Sequence, residues 1–255
     1  MSLLSPLDRW LAPAPKPERV AWLRGATFAH RGLHGPGVPE NSLSAAMAAI
    51  DRGLGIECDV HKSGDGQPMV FHDDTLDRLT GLSGRIGERT AADLGTIALL
   101  GSTDTIPTLR ALLDRIAGEV PLLIEIKAPE DGRSGALCLA VRRVLEGYRG
   151  PHAVMSFDAR IVRWFLLHSP HTVRGLVISE QDDKALTGRW RRHRMLWQAK
   201  PDFLSYDIRD LPGRFPRAQR LRGLPIATWT IRTADQLERA LDHADAPTVE
   251  GAGVP

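Results

Sequence analysis

Hydrophobic residues along this chain come in short dense runs, separated by longer stretches in which they recur every three or four positions. The dense runs at 26–30, 55–60, 68–71, 122–127, 153–157, 173–179, 203–206, 225–231 and 246–249 predict strands. The helical period covers 42–52, where Leu43, Ala46, Met47 and Ile50 share one face, and 107–117, with Pro107 near its first turn. It returns at 135–148, 160–168, 181–198, 215–222 and 234–242. Strand followed by helix, repeated, argues for a parallel sheet covered by helices. About eight such units in 255 residues favour a closed α/β barrel of the (β/α)8, TIM type over an open sheet. Residues 81–105 break the rhythm and read as part of a small insertion after the second strand, spanning about 73–105. Residues 1–24, with four prolines among Asp8, Arg9, Lys16 and Glu18, read as an N-terminal arm on the outside of the fold. No linker divides 25–255, which predicts one barrel domain.

Composition narrows the partners. A net charge of +2 is too small to argue for nucleic acid. The basic clusters at 189–194 and 214–222 read as solvated helix faces, with an anionic membrane surface or substrate as the sharper alternative. Cys58 and Cys138 have no metal-binding spacing and imply no disulfide framework. No apolar run reaches the roughly 20 residues of a membrane helix, and the first 24 residues lack a signal-peptide core. The expectation is a cytoplasmic protein with at most peripheral membrane contact.

In barrels of this type, chemistry sits at the C-terminal ends of the strands. Four strand ends carry polar residues. The run Phe28-Ala29 ends in His30-Arg31-Gly32, where an arginine can fork onto phosphate oxygens and a glycine permits a tight turn. In Ile56-Glu57-Cys58-Asp59-Val60, strand alternation puts both carboxylates on one face. Two carboxylates on an apolar strand are costly without positive charge between them, and a hard divalent cation fits. Met69-Val70-Phe71 ends in His72, followed by Asp73 and Asp74, which read as turn caps. Leu123-Ile124-Glu125-Ile126-Lys127 again sets two charged residues on one face. Taken singly, each group has a plain structural reading: a satisfied histidine, a surface arginine, or carboxylates paired to Lys or Arg. Four coincidences at four strand ends favour a kit in which carboxylates bind a metal, cations and metal hold a phosphodiester, and histidines move protons.

These residues resemble the glycerophosphodiester phosphodiesterase family. The resemblance is carried by His30-Arg31-Gly32, Pro39-Glu40-Asn41-Ser42, Glu57-x-Asp59, His72-Asp73 and Arg78-x-Thr80-Gly81, in that order and spacing. Ile106-Pro107-Thr108-Leu109, Glu125-Ile126-Lys127, Ser156-Phe157 and Trp229-Thr230 extend it over roughly residues 26–231. It implies a TIM-type barrel and hydrolysis of glycerophosphodiesters to glycerol-3-phosphate and an alcohol. It implies Glu57, Asp59 and Glu125 as ligands of Mg²⁺ or Ca²⁺, His30 and His72 as the acid–base pair, and Arg31 and Lys127 on phosphate. Trp229 would line the headgroup pocket, against a plain reading as a core aromatic. Glu40 would support the ligands or join them. His61 reads as a rim residue. The tail Ala246-Pro247-Thr248-Val249-Glu250-Gly251 departs from the family's aspartate-bearing pattern, which puts the last strand in question.

One histidine would take a proton from the attacking oxygen and the other would protonate the leaving alkoxide. The attacker is either a neighbouring substrate hydroxyl or water. The nearest rival is the same chemistry on lysophospholipids, a lysophospholipase D. A catalytically silent phosphodiester-binding barrel is the remote one.

Overall fold

The computed structural model describes residues 5–129, 132–181 and 185–255. It is an α/β fold of the (β/α)8-barrel class with one additional strand. The chain packs as two compact units, one spanning Phe28–His152 and the other combining the residues up to Thr27 with Ala153–Pro255.

The unit Phe28–His152 holds strands β1 (Phe28–Ala29), β2 (Gly55–Lys62), β3 (Pro68–Val70) and β4 (Leu122–Ile126). β2 pairs in parallel with β1 and with β4, and antiparallel with β3. β1 is shorter than the 26–30 run expected, because the chain turns sharply after Ala29. Gly32, at φ 77°, makes that turn possible. A Cβ there would stand 2.8 Å from the backbone and side chain of Ala45, so the turn lies directly on the helix Leu43–Asp51. That helix starts at Ser42, whose Oγ accepts from Ala45 N at 3.0 Å. It buries the small residues Ala45, Ala46 and Ala49.

The helix Leu109–Ile116 shows how pattern becomes packing. Leu109, Leu112, Leu113 and Ile116 follow the i, i+3, i+4, i+7 spacing, and all four are buried. Each such side chain contributes about 1.5–3 kcal/mol on burial. Truncating Leu113 to alanine would cost about 2–5 kcal/mol. The helix does not begin at Pro107 as the sequence suggested. Thr108 is its cap, its Oγ1 accepting from Ala111 N at 3.1 Å, while the Pro107 carbonyl accepts from Val70 N. It ends where Ala117 adopts a left-handed φ of 48°.

The insertion between β3 and this helix has only short helical pieces, Asp77–Thr80, Ile86–Glu88 and Ala91–Leu94. It carries its own small core, in which Leu76, Ile86, Leu94, Ile97 and Leu99 pack with Met69, Phe71 and Ile106.

In the second unit, β5 (His152–Ser156), β6 (Val173–Ile178), β7 (Phe203–Asp207), β8 (Ile226–Ile231) and β9 (Ala246–Val249) pair in parallel, each with the next. The helices Ala159–His168, Leu186–Ala199, Arg214–Leu221 and Ala234–His243 connect them. The helix expected over 181–198 is seen as Leu186–Ala199, and residues 182–184 of that expectation lie outside the described residues. β9 forms despite its departure from the family pattern. Ala246, Pro247, Thr248 and Val249 are all buried, and the pairing shifts register between Thr228 and Ile231, beside Pro247.

The segment from residue 5 is bound tightly into this unit. Asp8, on the helix Ser5–Leu11, is fully buried. Its carboxylate accepts from His193 Nδ1, Trp197 Nε1 and Gln219 Nε2, each at 2.8 Å. Arg19 reaches Asp202 at 2.9 Å and three backbone carbonyls. Among the described residues, no helix is long and apolar enough to cross a membrane.

Candidate active site

The unit Phe28–His152 gathers nearly all the charged residues singled out above. On β2, Glu57 and Asp59 alternate with Cys58, as strand geometry requires. The parallel register sets Asp59 opposite Glu125 on β4. Carboxylate oxygens of Glu57, Asp59 and Glu125 all lie within 4.8 Å of one another, and the three residues are 3%, 2% and 8% exposed. Lys127, two residues beyond Glu125, reaches back with Nζ 2.7 Å from Asp59 Oδ1 and 2.5 Å from Glu125 Oε1.

The turn after β1 supplies the next layer. Arg31 has a left-handed φ of 55°, a conformation disfavoured for a residue with a Cβ. It aims the backbone N–H of Arg31 at Glu57 Oε2, 3.0 Å away. The Arg31 guanidinium lies 2.6 Å from Glu40 and 3.3 Å from Asp59. His30 Nε2 stands 4.0 Å from Glu57 Oε2. Asn41, also left-handed at φ 56°, grips Asp59 twice. Its Nδ2 donates to Oδ2 at 3.0 Å, and its Oδ1 accepts from the Asp59 N–H at 3.2 Å.

His72 follows β3. The N–H of Phe71 donates to the Asp59 carbonyl at 3.0 Å, which brings the end of β3 to the carboxylates. His72 Nδ1 is 2.6 Å from Asp73 Oδ1. A carboxylate can only accept, so Nδ1 carries a proton and Nε2 keeps its lone pair when the ring is neutral. His61 is buried rather than at a rim. Its Nε2 meets the His72 carbonyl at 2.8 Å and so braces that backbone.

The charges do not balance. Burial, reinforced by Asp59 and Glu125, pushes Glu57 well above the usual carboxylate range. Burial likewise raises Glu125, though Lys127 opposes it. Burial would raise Asp59 too, but Lys127, His72 and Arg31 outweigh it and hold Asp59 low. Burial depresses His72, with Asp59 opposing. Three buried carboxylates share Lys127 and part of Arg31, and Glu57 is the one left short of positive charge. Hard oxygen donors converging with a surplus of negative charge can hold a divalent cation.

Trp229 belongs to the other unit. It lies on β8, its Nε1 donating to the Ser205 carbonyl at 3.2 Å and its ring meeting Phe157 edge-on with centroids 5.5 Å apart. Three neighbours of the cluster went unassigned in the sequence. Asn41 and Arg78 lie inside the family-like motifs, and the sequence gives Asp73 only the part of a turn cap. The signal for Asp73 was its adjacency to His72. For Asn41 it was an Asx residue, able to adopt left-handed backbone, two residues ahead of the helix Leu43–Asp51.

A barrel with such a set of carboxylates, cations and histidines defines the class: a hydrolase of phosphoric diesters. The chain belongs to the glycerophosphoryl diester phosphodiesterase family, whose model matches residues 30–246. It is 25% identical over 252 residues to glycerophosphodiester phosphodiesterase 1 of Rattus norvegicus, covering 84% of this chain and 73% of that protein. It is 32% identical over 146 residues to a glycerophosphodiester phosphodiesterase of Bacillus subtilis, about half of each chain (51% and 49%). Among solved structures, it is similar to an Oleispira antarctica phosphodiesterase in complex with the product sn-glycerol-3-phosphate. The TM-score is 0.76 at 25% identity, over 89% of this chain and 93% of that one. A glycerophosphodiester phosphodiesterase from Thermotoga maritima shares the fold at TM-score 0.71 and 24% identity, over 88% and 94%.

Proposed function

We propose that this enzyme hydrolyses glycerophosphodiesters to sn-glycerol-3-phosphate and an alcohol, by acid–base catalysis between His30 and His72 beside a divalent cation. The observation that carries the reading is the buried trio Glu57, Asp59 and Glu125, its carboxylate oxygens within 4.8 Å of one another and its charge not matched by the nearby cations. The substrate assignment is supported by the sn-glycerol-3-phosphate complex of the Oleispira relative.

Glu57, Asp59 and Glu125 would hold the cation, Mg²⁺ or Ca²⁺. Such a cation supplies positive charge against phosphoryl oxygens. Arg31 presents a planar fork suited to the same oxygens, and Glu40 fixes that fork in place at 2.6 Å. Lys127 helps hold Asp59 low, opposes the upward pull of burial on Glu125, and would add charge at the phosphate side. His72, its Nδ1 proton held by Asp73, offers Nε2 for proton exchange. His30, 4.0 Å from Glu57, takes the complementary part, so that one imidazole receives a proton as the other gives one up.

The test is release of glycerol-3-phosphate from glycerophosphocholine and glycerophosphoethanolamine by the purified protein with Mg²⁺, with Ca²⁺ and with EDTA. Metal-dependent, EDTA-sensitive release is expected. Release that persists in EDTA would remove the metal from the reading. Release from lysophosphatidylcholine alone would move the substrate to lysophospholipids.

A further inference from the structure

Arg78 lies on the insertion, in the short helix Asp77–Thr80, and the mechanism above leaves it unused. Its guanidinium makes three hydrogen bonds to two carboxylates. Nη2 and Nη1 fork onto Glu40 at 2.7 and 3.0 Å. Nε donates to Asp73 Oδ2 at 2.6 Å. Each carboxylate turns its remaining capacity toward a proposed working side chain. Glu40 Oε1 also accepts from Arg31 Nη1 at 2.6 Å, and Asp73 Oδ1 accepts from His72 Nδ1 at 2.6 Å. The result is a continuous chain, Arg31–Glu40–Arg78–Asp73–His72. Despite partial burial, which would raise them, both carboxylates are held below the ordinary range, Glu40 by Arg78 and Arg31, and Asp73 by Arg78 and His72.

We infer that Arg78 is a positioning residue: by clamping Glu40 and Asp73 together, it sets the spacing between the phosphate-binding Arg31 and the proton-exchanging His72. The inference rests on the roles proposed above for Arg31 and His72. An ordinary surface ion pair would contribute little, because Arg78 is about half exposed, at 48% of its side chain. Here the consequence is geometric. The bidentate fork fixes the plane of the Glu40 carboxylate, and through it the direction of Arg31. The third bond fixes Asp73, and through it the ring of His72. Lysine, with a single ammonium, cannot reproduce the fork. Loss of a partner that orients a metal ligand typically changes activity about 10–100-fold, and a loss of that order is expected by analogy here.

The experiment compares Arg78→Ala, Arg78→Lys, Asp73→Ala, the double variant Arg78→Ala with Asp73→Ala, and His72→Ala, in full-length protein, reading kcat, KM and thermal midpoint. Arg78→Ala is expected to lower kcat about 10–100-fold with a thermal midpoint close to the parent. Arg78→Lys should recover part of the loss. Guanidinium or methylguanidinium ion at sub-denaturing concentration should restore turnover to Arg78→Ala and leave the parent unchanged. A residue that served only stability would show no such rescue. The double variant should lose less than the two single losses combined, since both changes break the His72 arm, while the Glu40 arm is lost only with Arg78. Parent-like kcat in Arg78→Ala, absent rescue, or fully additive losses, with His72→Ala inactive, would each overturn the inference and leave the catalytic reading standing. An active His72→Ala would instead overturn the reading on which it rests.

Discussion

Asp8 and Glu57 are both carboxylates shut away from water, yet their surroundings oppose each other. Asp8 receives three donors, from His193, Trp197 and Gln219, each at 2.8 Å. Burial would raise its pKa, but those hydrogen bonds, His193 foremost, hold it low. It fastens the helix Ser5–Leu11 to two others and, among the described residues, has no other carboxylate among its partners. Glu57 has one backbone N–H, from Arg31 at 3.0 Å, and two carboxylates for neighbours. Burial and those neighbours push it well above the usual range. A satisfied buried charge is an anchor. A crowded, undersupplied one is where, in the function proposed above, a cation would be held.

The comparison is broken most severely by exchanging the charge of each carboxylate while keeping its shape. Glu57→Gln should reduce kcat/KM by more than about 100-fold, read as glycerol-3-phosphate release at saturating Mg²⁺. Asp8→Asn should leave kcat/KM at the parent value. Near-parent activity in Glu57→Gln would place the cation elsewhere. The next largest effect is on stability and runs the other way. Asp8→Asn should cost about 1–3 kcal/mol by mismatching buried donors, seen in denaturant midpoints at pH 7. Glu57→Gln, measured without metal, should be as stable as the parent or more so by about 1 kcal/mol, because a buried charge short of partners has been removed. A destabilised Glu57→Gln would show that Lys127 and Arg31 already balance the trio.

The smallest effect concerns pH. The folded pKa of Asp8 lies below its unfolded value of 3.8. Its contribution is therefore present above that value and is lost as pH falls through the folded pKa. The stability gap between parent and Asp8→Asn should be constant near neutrality and narrow below about pH 4. A gap independent of pH would show that Asp8 acts through packing alone.

Much of this was legible in the sequence, for identifiable reasons. Alternation along Glu57-Cys58-Asp59 and Glu125-Ile126-Lys127 states which side chains share a face, and parallel pairing brings those faces together. His30 and His72 were visible because each follows a short apolar run. The rest depended on backbone that leaves little compositional trace. The left-handed Arg31 and Asn41 determine which atoms meet Glu57 and Asp59, and nothing in the hydrophobic pattern encodes a positive φ. Arg78 meets Glu40 across 38 positions of chain, beyond the reach of local spacing. Pro107 misled because proline favours a helix's first turn, whereas here it precedes the Thr108 cap. The last strand formed without the expected motif because four buried residues suffice for it.

The insertion after β3 has a small core of its own, and both His72 and Arg78 hang from it, while the three carboxylates sit on β2 and β4. Local opening of such a piece costs less than global unfolding. A molecule with the insertion briefly detached would keep the three clustered carboxylates and lose His72, the imidazole proposed for proton exchange. Turnover is then a more sensitive thermometer of this protein than its unfolding curve. On heating, activity should fade while the bulk of the secondary structure persists, and proteolytic nicking between residues 81 and 105 should accompany that fading.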